Sequence, residues 1–297
     1  MKNCLLLIGG SGFIGSHFLE MQKQYKMIST YNSNPIENGI HFDLEKDDLK
    51  VLIQKHSITH VLFMGGIVKF DVITKNPESA KYINVECTIN KIKETIDAGV
   101  IPVYFSSESV FKGLIGNYDE SYQPEPKFEY GHQKYTVEKF ILNNTDKYLI
   151  LRLSKVFSSA RSPASLITAW LGNLEKNEDI CVAIDNIFSP IHVSEVVSIV
   201  TSLILLEKYG IYNICSPQSY SRFEMLDIVM GEFSKFSKYD GNIIQKKLNE
   251  IDGAEMFPTN TSLASEKTAA ATGYTAQNFL YWGKTITHLH MNNRDDD

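Results

Sequence analysis

The sequence predicts an α/β fold built on a doubly wound parallel sheet, with a smaller lobe drawn from the C-terminal half. Short apolar runs alternate with longer helical patterns up to about Arg152, a glycine cluster separates the first run from the first helix, and beyond Arg152 the alternation becomes irregular. Such alternation places parallel strands side by side with helices on both faces.

The run "CLLLI" opens the chain as a buried strand. "MKNCLLLIGG" has the outline of a signal peptide, but its apolar run is too short and meets glycines instead of a small-residue cleavage site. A helix follows over 13–24, then strands in "KMIST" and "HFDL", a helix over 47–55 and a strand in "HVLFM". Next come a helix over 79–98, a strand in "PVYFS", a helix over 130–143 and a strand in "YLILRL". The second half shows helices near 165–177, 193–207 and 221–236 and a strand at "GIYNI". No repeat of 20 to 50 residues stands out. The acidic tail "NNRDDD" reads as a frayed end.

Composition narrows the function classes. The 297 residues are 43% hydrophobic and 22% charged, the balance of an ordinary soluble globular protein. A net charge of −6 without any Lys/Arg cluster argues against a nucleic-acid surface, so an anionic ligand needs local help. No run approaches the roughly 18 apolar residues of a membrane span, so no membrane role is expected. Cys4, Cys87, Cys181 and Cys215 are scattered without a C-x-x-C pair, which suggests neither zinc nor a disulfide framework and points to a reducing cytoplasm. His192 lacks a metal-spaced partner and reads as a packed residue, so no metal site is expected.

"LLLIGGSGFIGSHFLE" sets a strand, then Gly9, Gly10, Gly12 and Gly15, then an amphipathic helix. The glycines fit G-x-G-x-x-G at 10, 12 and 15 and G-x-x-G-x-x-G at 9, 12 and 15. Both templates let backbone turn tightly and bring N–H groups to a pyrophosphate at a helix N-terminus. This predicts a Rossmann-type dinucleotide-binding domain over residues 1–155, with 156–297 forming mainly a substrate lobe whose segments return to the sheet. Cofactor-binding candidates here are Gly9, Ser11, Gly12, Phe13, Ile14 and Gly15. The acid that usually holds an NAD ribose about 20 positions on is missing from "MISTYNSNP". Thr30, Tyr31, Asn32 and Ser33 leave room and hydrogen-bonding groups for a 2′-phosphate, so NADP(H) is slightly favoured over NAD(H).

"YGHQKYTVEK" holds two Tyr–Lys pairs one helical turn apart, Tyr130 with Lys134 and Tyr135 with Lys139. At about 100° per residue, Tyr130, Lys134, Val137 and Ile141 fall within roughly 40° of one line, and the second pair lies about 140° to 180° away. The first pair therefore faces inward with the apolar stripe. A cation held one turn away can stabilise a phenolate, although spacing alone equally fits a surface tyrosine with a snorkelling lysine. "VYFSSESVFKG" ends a strand in Ser106, Ser107, Glu108 and Ser109, where a hydroxyl can meet a substrate carbonyl or merely cap a turn. Asp119 and Glu120 precede a proline-rich loop and read as solvated.

Glycine loop, strand-end serine and Y-x-x-x-K together resemble the extended short-chain dehydrogenase/reductases. More narrowly, "FSSESVFKG", "YDESYQPEPKFEYGHQK", "LILRLSKVF", "GIYNICSPQSYSRFEML" and "FPTNTSLASEKTAAATGY" resemble the dTDP-4-dehydrorhamnose reductase branch, from about residue 1 to residue 290. The resemblance implies that Tyr130 is the proton donor, that Lys134 binds the nicotinamide ribose and lowers the tyrosine pKa, and that Ser107 orients the carbonyl. Asp43 and Leu44 match the segment that contacts adenine, and Thr30 joins the cofactor contacts. Gly65 and Gly66 of "FMGG" stand where the family has an alanine-rich loop near the cofactor phosphates and ribose. "SSE" stands for the usual "STD", and Lys155 for the aromatic of R-x-S-W. The implied activity is NAD(P)H-dependent reduction of a 4-keto group on a nucleotide-linked deoxysugar. An epimerase that retains its NAD and a non-catalytic regulatory or binding subunit are the alternatives. A dehydratase ranks lower, because Glu108 is followed by Ser109 and not by a second acid. The resemblance also implies a homodimer paired through the helices over 79–98 and 130–143.

Overall fold

A computed structural model describes residues 3–22, 24–159, 166–254 and 257–292. The chain forms two compact units, one from residues 1–112, 122–153 and 197–213, the other from 113–121, 154–196 and 214–297.

The first unit carries a seven-stranded sheet. Its strands are β1 (Cys4–Ile8), β2 (Lys26–Tyr31), β3 (Ile40–His41), β4 (His60–Phe63), β5 (Ile101–Ser107), β6 (Leu149–Leu153) and β7 (Gly210–Ile214). They lie in the order β7-β6-β5-β4-β1-β2-β3. The pairs β1–β2, β1–β4, β2–β3, β4–β5 and β5–β6 are all parallel. Every residue of β1, β4 and β6 is buried, as strands covered on both faces require. The strand order reverses at β1, so its C-terminal end and that of β4 form the topological switch point where ligands settle on such sheets. Leu6, Ile8, Val61, Phe63 and Ile150 of the sheet form one core with Leu49, Ile92, Val137 and Ile141 of the flanking helices. The sequence expectation of a Rossmann-type doubly wound sheet is met.

Two expected elements change shape. Of "HFDL" only His41 is strand, as the second residue of β3, because Asp43 turns the chain by accepting the Glu45 N–H at 2.9 Å. The single helix expected over 79–98 is three pieces: Pro77–Lys81, a π-helical turn Tyr82–Cys87, and Thr88–Asp97. The wider turn carries buried Asn84, whose side chain reaches out of the helix to the loop after β4.

The second unit packs the helices Leu166–Lys176, Arg222–Phe233 and Phe279–Asn292 around Trp170, Leu171, Leu226, Phe233, Phe279 and Ile286. Short strand pairs complete it: Val156–Phe157 with Ile191–His192, Ile187–Phe188 with Tyr220–Ser221, and Ile180–Ala183 with Ile243–Lys246. The helix expected over 221–236 runs from Arg222 to Phe233, behind a capping box in which Ser221 and Glu224 satisfy each other's backbone N–H. Among the described residues no helix is long and apolar enough to cross a membrane.

Candidate active site

The glycine loop is shaped by close backbone approach. Gly9 holds φ +84°, and a Cβ there would stand 2.7 Å from the Gly65 backbone. A Cβ on Gly15 would stand 2.6 Å from the carbonyl oxygen of Gly9. Gly12 differs. Its backbone is extended, and only the Gly9 oxygen, at 3.1 Å, lies within reach of an added Cβ. It is also the N-cap of the helix Phe13–Met21 and offers that helix no side-chain cap. The loop therefore leaves backbone N–H groups and open space at a helix N-terminus, a fit for an anionic group such as a pyrophosphate. Ser11 and Ile14 are half-buried beside it, and Phe13 is exposed.

Thr30 is placed differently from its sequence expectation. It is buried, donates its hydroxyl to Leu7 O at 3.0 Å and accepts the Gly9 N–H at 3.3 Å, so it secures the loop from below. Tyr31 follows on β2 and packs edge-on against His41 of β3 at 5.7 Å. Asp43 caps its own turn and pairs with Lys46 at 3.4 Å, and these contacts hold its carboxyl below the usual range. Leu44 packs on the core.

The loop after β4 is held from two sides. Met64 and Gly65 both donate their N–H to Ile8 O, at 3.1 and 3.0 Å. Asn84 accepts the Ile67 N–H and donates to Ile67 O, both at 2.8 Å. The same amide donates to Gln133 Oε1 at 2.8 Å, and Gln133 donates to Glu129 at 3.2 Å. Asn84 and Gln133 thus join the glycine loop's neighbour to the helix of Tyr130 and Lys134. Nothing in sequence spacing singles them out, since their meeting depends on the π-helical turn.

Ser107, Tyr130 and Lys134 converge at the C-terminal end of β5. Ser107 caps a short 3-10 turn over Glu108–Val110, accepting the Ser109 N–H at 3.2 Å and donating to Ser109 Oγ at 3.1 Å. The helix Glu129–Asn144 lies directly on this turn, because Gly131 has no side chain: a Cβ there would stand 2.0 Å from Ser109 O. Lys134 donates to Phe105 O at 2.7 Å, and its ammonium lies 4.8 Å from the Tyr104 ring centre and 5.6 Å from that of Tyr130. Burial lowers its pKa to about 8, against the pull of Glu138. Burial, and then Glu108, push the Tyr130 pKa up, whereas the sequence reading has Lys134 lowering it. The ammonium faces the ring and bonds to a carbonyl, which leaves desolvation in charge of the phenol.

The second pair sits apart. Tyr135 accepts from Gln123 Nε2 at 2.8 Å, and exposed Lys139 lies 4.9 Å over its ring. One turn beyond Lys134, Glu138 is fully buried and takes Arg152 of β6 through Nε at 3.2 Å and Nη2 at 2.8 Å. Ser106 also donates to Glu138, at 2.5 Å, so the two adjacent serines divide their tasks. In the second unit, His192 is buried and stacks on Trp282 at 3.8 Å.

Over 140 residues the chain is 28% identical to methionine adenosyltransferase 2 subunit beta of Pongo abelii, covering 47% of this chain and 38% of that protein. Over 194 residues it is 27% identical to a putative UDP-glucose 4-epimerase of Methanocaldococcus jannaschii, covering 59% and 64%. It therefore spans under two thirds of either relative. A crystal structure of dTDP-4-dehydrorhamnose reductase from Bacillus anthracis in complex with NADP superposes with a TM-score of 0.82 at 21% identity, over 98% of this chain and 100% of that one. The model of the RmlD substrate binding domain family matches residues 1–288, and the chain belongs to that family.

Proposed function

We propose that this protein reduces a 4-keto group on a nucleotide-linked deoxysugar, using a nicotinamide dinucleotide as hydride source. One observation carries the reading: Tyr130, Lys134 and Ser107 gather at the end of β5, two strands from the glycine loop that ends β1. Gly9, Gly12 and Gly15, with Ser11, Phe13 and Ile14, would hold the pyrophosphate. Gly65, Gly66, Asp43 and Leu44 would meet the rest of the dinucleotide. When bound, the nicotinamide supplies the hydride.

The residues themselves handle the proton. A phenol whose pKa is raised by burial stays protonated near neutral pH, which suits Tyr130 to donate to a carbonyl oxygen as it gains charge. Lys134 keeps a cation beside that phenol and can stabilise the phenolate left behind. Ser107 turns a hydroxyl toward the same turn and would orient the carbonyl. NADP(H) is slightly favoured over NAD(H), because no acid occupies the end of β2 to repel a 2′-phosphate.

A panel of nucleotide-linked 4-keto-deoxysugars, offered with NADH and with NADPH and followed by absorbance, tests the activity. Cofactor oxidation with one of them is the expected result. Turnover of a nucleotide sugar without added cofactor would support an epimerase instead. The methionine adenosyltransferase relatives favour a second reading, a regulatory or binding subunit that keeps the fold without turnover. Binding of cofactor with no substrate in the panel consumed would support it. A homodimer paired through the helices Thr88–Asp97 and Glu129–Asn144 is part of the proposal. Light scattering should give twice the chain mass, and a monomer at all concentrations would remove it.

A further inference from the structure

The helix Glu129–Asn144 and strand β5 meet through matched periods. Lys134 and Glu138 stand one turn apart on the helix, and Tyr104 and Ser106 stand two residues apart on one face of the strand. Glu138 accordingly takes the Ser106 hydroxyl, and Lys134 lies over the Tyr104 ring, its Nζ 4.8 Å from the ring centre. The Phe105 side chain goes to the opposite face, where it packs edge-on against Phe18 at 6.3 Å, while its carbonyl accepts from Lys134 at 2.7 Å.

Tyr104 is 2% exposed and takes no part in the proposed proton transfer. Burial, then Tyr130 and Glu138, hold its phenol well above the usual tyrosine pKa, so it stays uncharged. Around Lys134 stand Tyr130 and Glu138 on its own helix, Tyr104 on β5, and Glu108 on the turn after β5. Glu138 is committed to Arg152 of β6 and to Ser106, and Glu108 acts on Tyr130. Desolvation lowers the Lys134 pKa to about 8. A carbonyl replaces only part of the hydration an ammonium loses, and the negative face of an aromatic ring within about 6 Å replaces more.

We propose that Tyr104 is a positioning residue for the reaction: its ring face holds the Lys134 ammonium, as a cation, beside Tyr130. This rests on the roles of Tyr130 and Lys134 in the proposed function and adds the group that keeps Lys134 charged near neutral pH. The sign is fixed. Without the ring the charged form is less favoured, so the Lys134 pKa falls and the cation is lost at lower pH.

Nuclear magnetic resonance of the full chain, labelled with carbon-13 at lysine Cε and with the Lys134 signal assigned by its loss in Lys134→Met, reads that titration. Wild type should have its midpoint at about 8. Tyr104→Phe keeps the ring face and should stay within a few tenths of a pH unit of it. Tyr104→Leu should fall by about one pH unit or more, the worth of a desolvated cation–π contact. The alkaline limb of kcat/KM for an accepted keto-sugar should move to lower pH in Tyr104→Leu and not in Tyr104→Phe. An unchanged Lys134 midpoint in folded Tyr104→Leu overturns the proposal, and so does an equal fall in Tyr104→Phe, which would trace the effect to the hydroxyl. Should the midpoints behave as expected while no keto-sugar is consumed, the proposed activity fails and the hold of Tyr104 on Lys134 stands. Should Tyr104→Leu not fold, Tyr104→pentafluorophenylalanine keeps the ring's shape and withdraws charge from its face. The same fall is expected there, and an unchanged midpoint contradicts the proposal.

Discussion

Glu138 and Arg152 form a two-point ion pair at 0% and 2% side-chain exposure, one helical turn beyond Lys134 and beneath the serine pair of β5. Lys134 and Glu138 thereby grip consecutive residues of the strand, Phe105 by its carbonyl and Ser106 by its hydroxyl. The pair thus helps tie the helix that carries Tyr130 to the strand that ends in Ser107.

Removing one partner strands the other charge in the core. Glu138→Ala should cost about 3 to 5 kcal/mol of stability, while Glu138→Leu combined with Arg152→Met should be near neutral. Urea denaturation measures both. A single variant as stable as wild type would show that the pair is less buried than it stands here.

The glycines separate by substitution. Gly15→Ala meets backbone at 2.6 Å and should lower the melting temperature, because backbone cannot swing aside. Gly12→Val should fold, since its extended conformation is open to any residue, and should lose cofactor binding as the side chain fills the space of the pyrophosphate. NADPH fluorescence with a melting curve checks both. Retained binding in folded Gly12→Val would count against the cradle.

His60 sets a pH dependence. It is buried in β4, and desolvation lowers its pKa to about 4 from an ordinary 6.5. Between these values the unfolded chain binds a proton that the folded one does not, so stability rises with pH across the window and is lost as pH falls through it. The full effect is roughly 3 kcal/mol. His60→Asn should flatten the urea midpoint between pH 6.5 and 4, and an unchanged slope would assign the acid sensitivity elsewhere.

Much of the first unit was legible because its signals are local. Continuous apolar runs gave the buried strands, and helix phase separated Tyr130 and Lys134 from Tyr135 and Lys139. Residues whose meaning depends on distant partners were not legible. Asn84 needs a π-helical turn to reach Ile67, and Glu138 reads as an ordinary surface acid until Arg152 arrives from another strand. Ser106 and Ser107 look alike in sequence, and only the pleat, which sends successive side chains to opposite faces, assigns one to Glu138 and the other to the turn. In the second unit the two-residue strand pairs, such as Ile187–Phe188 with Tyr220–Ser221, are too short to carry a period. The helices Glu266–Thr272 and Phe279–Asn292 also went unread there.

The central claim is that Tyr130 donates the proton and Tyr135 does not. Turnover of an accepted keto-sugar by Tyr130→Phe and Tyr135→Phe, each with NADPH affinity measured alongside, tests it most directly. Tyr130→Phe should lose about 100- to 10,000-fold in turnover with cofactor affinity kept, the usual worth of a positioned general acid. Tyr135→Phe should change turnover by less than about threefold, because its hydroxyl accepts from Gln123 and has little to stabilise in the transition state. An inactive Tyr135→Phe beside an active Tyr130→Phe would contradict the account.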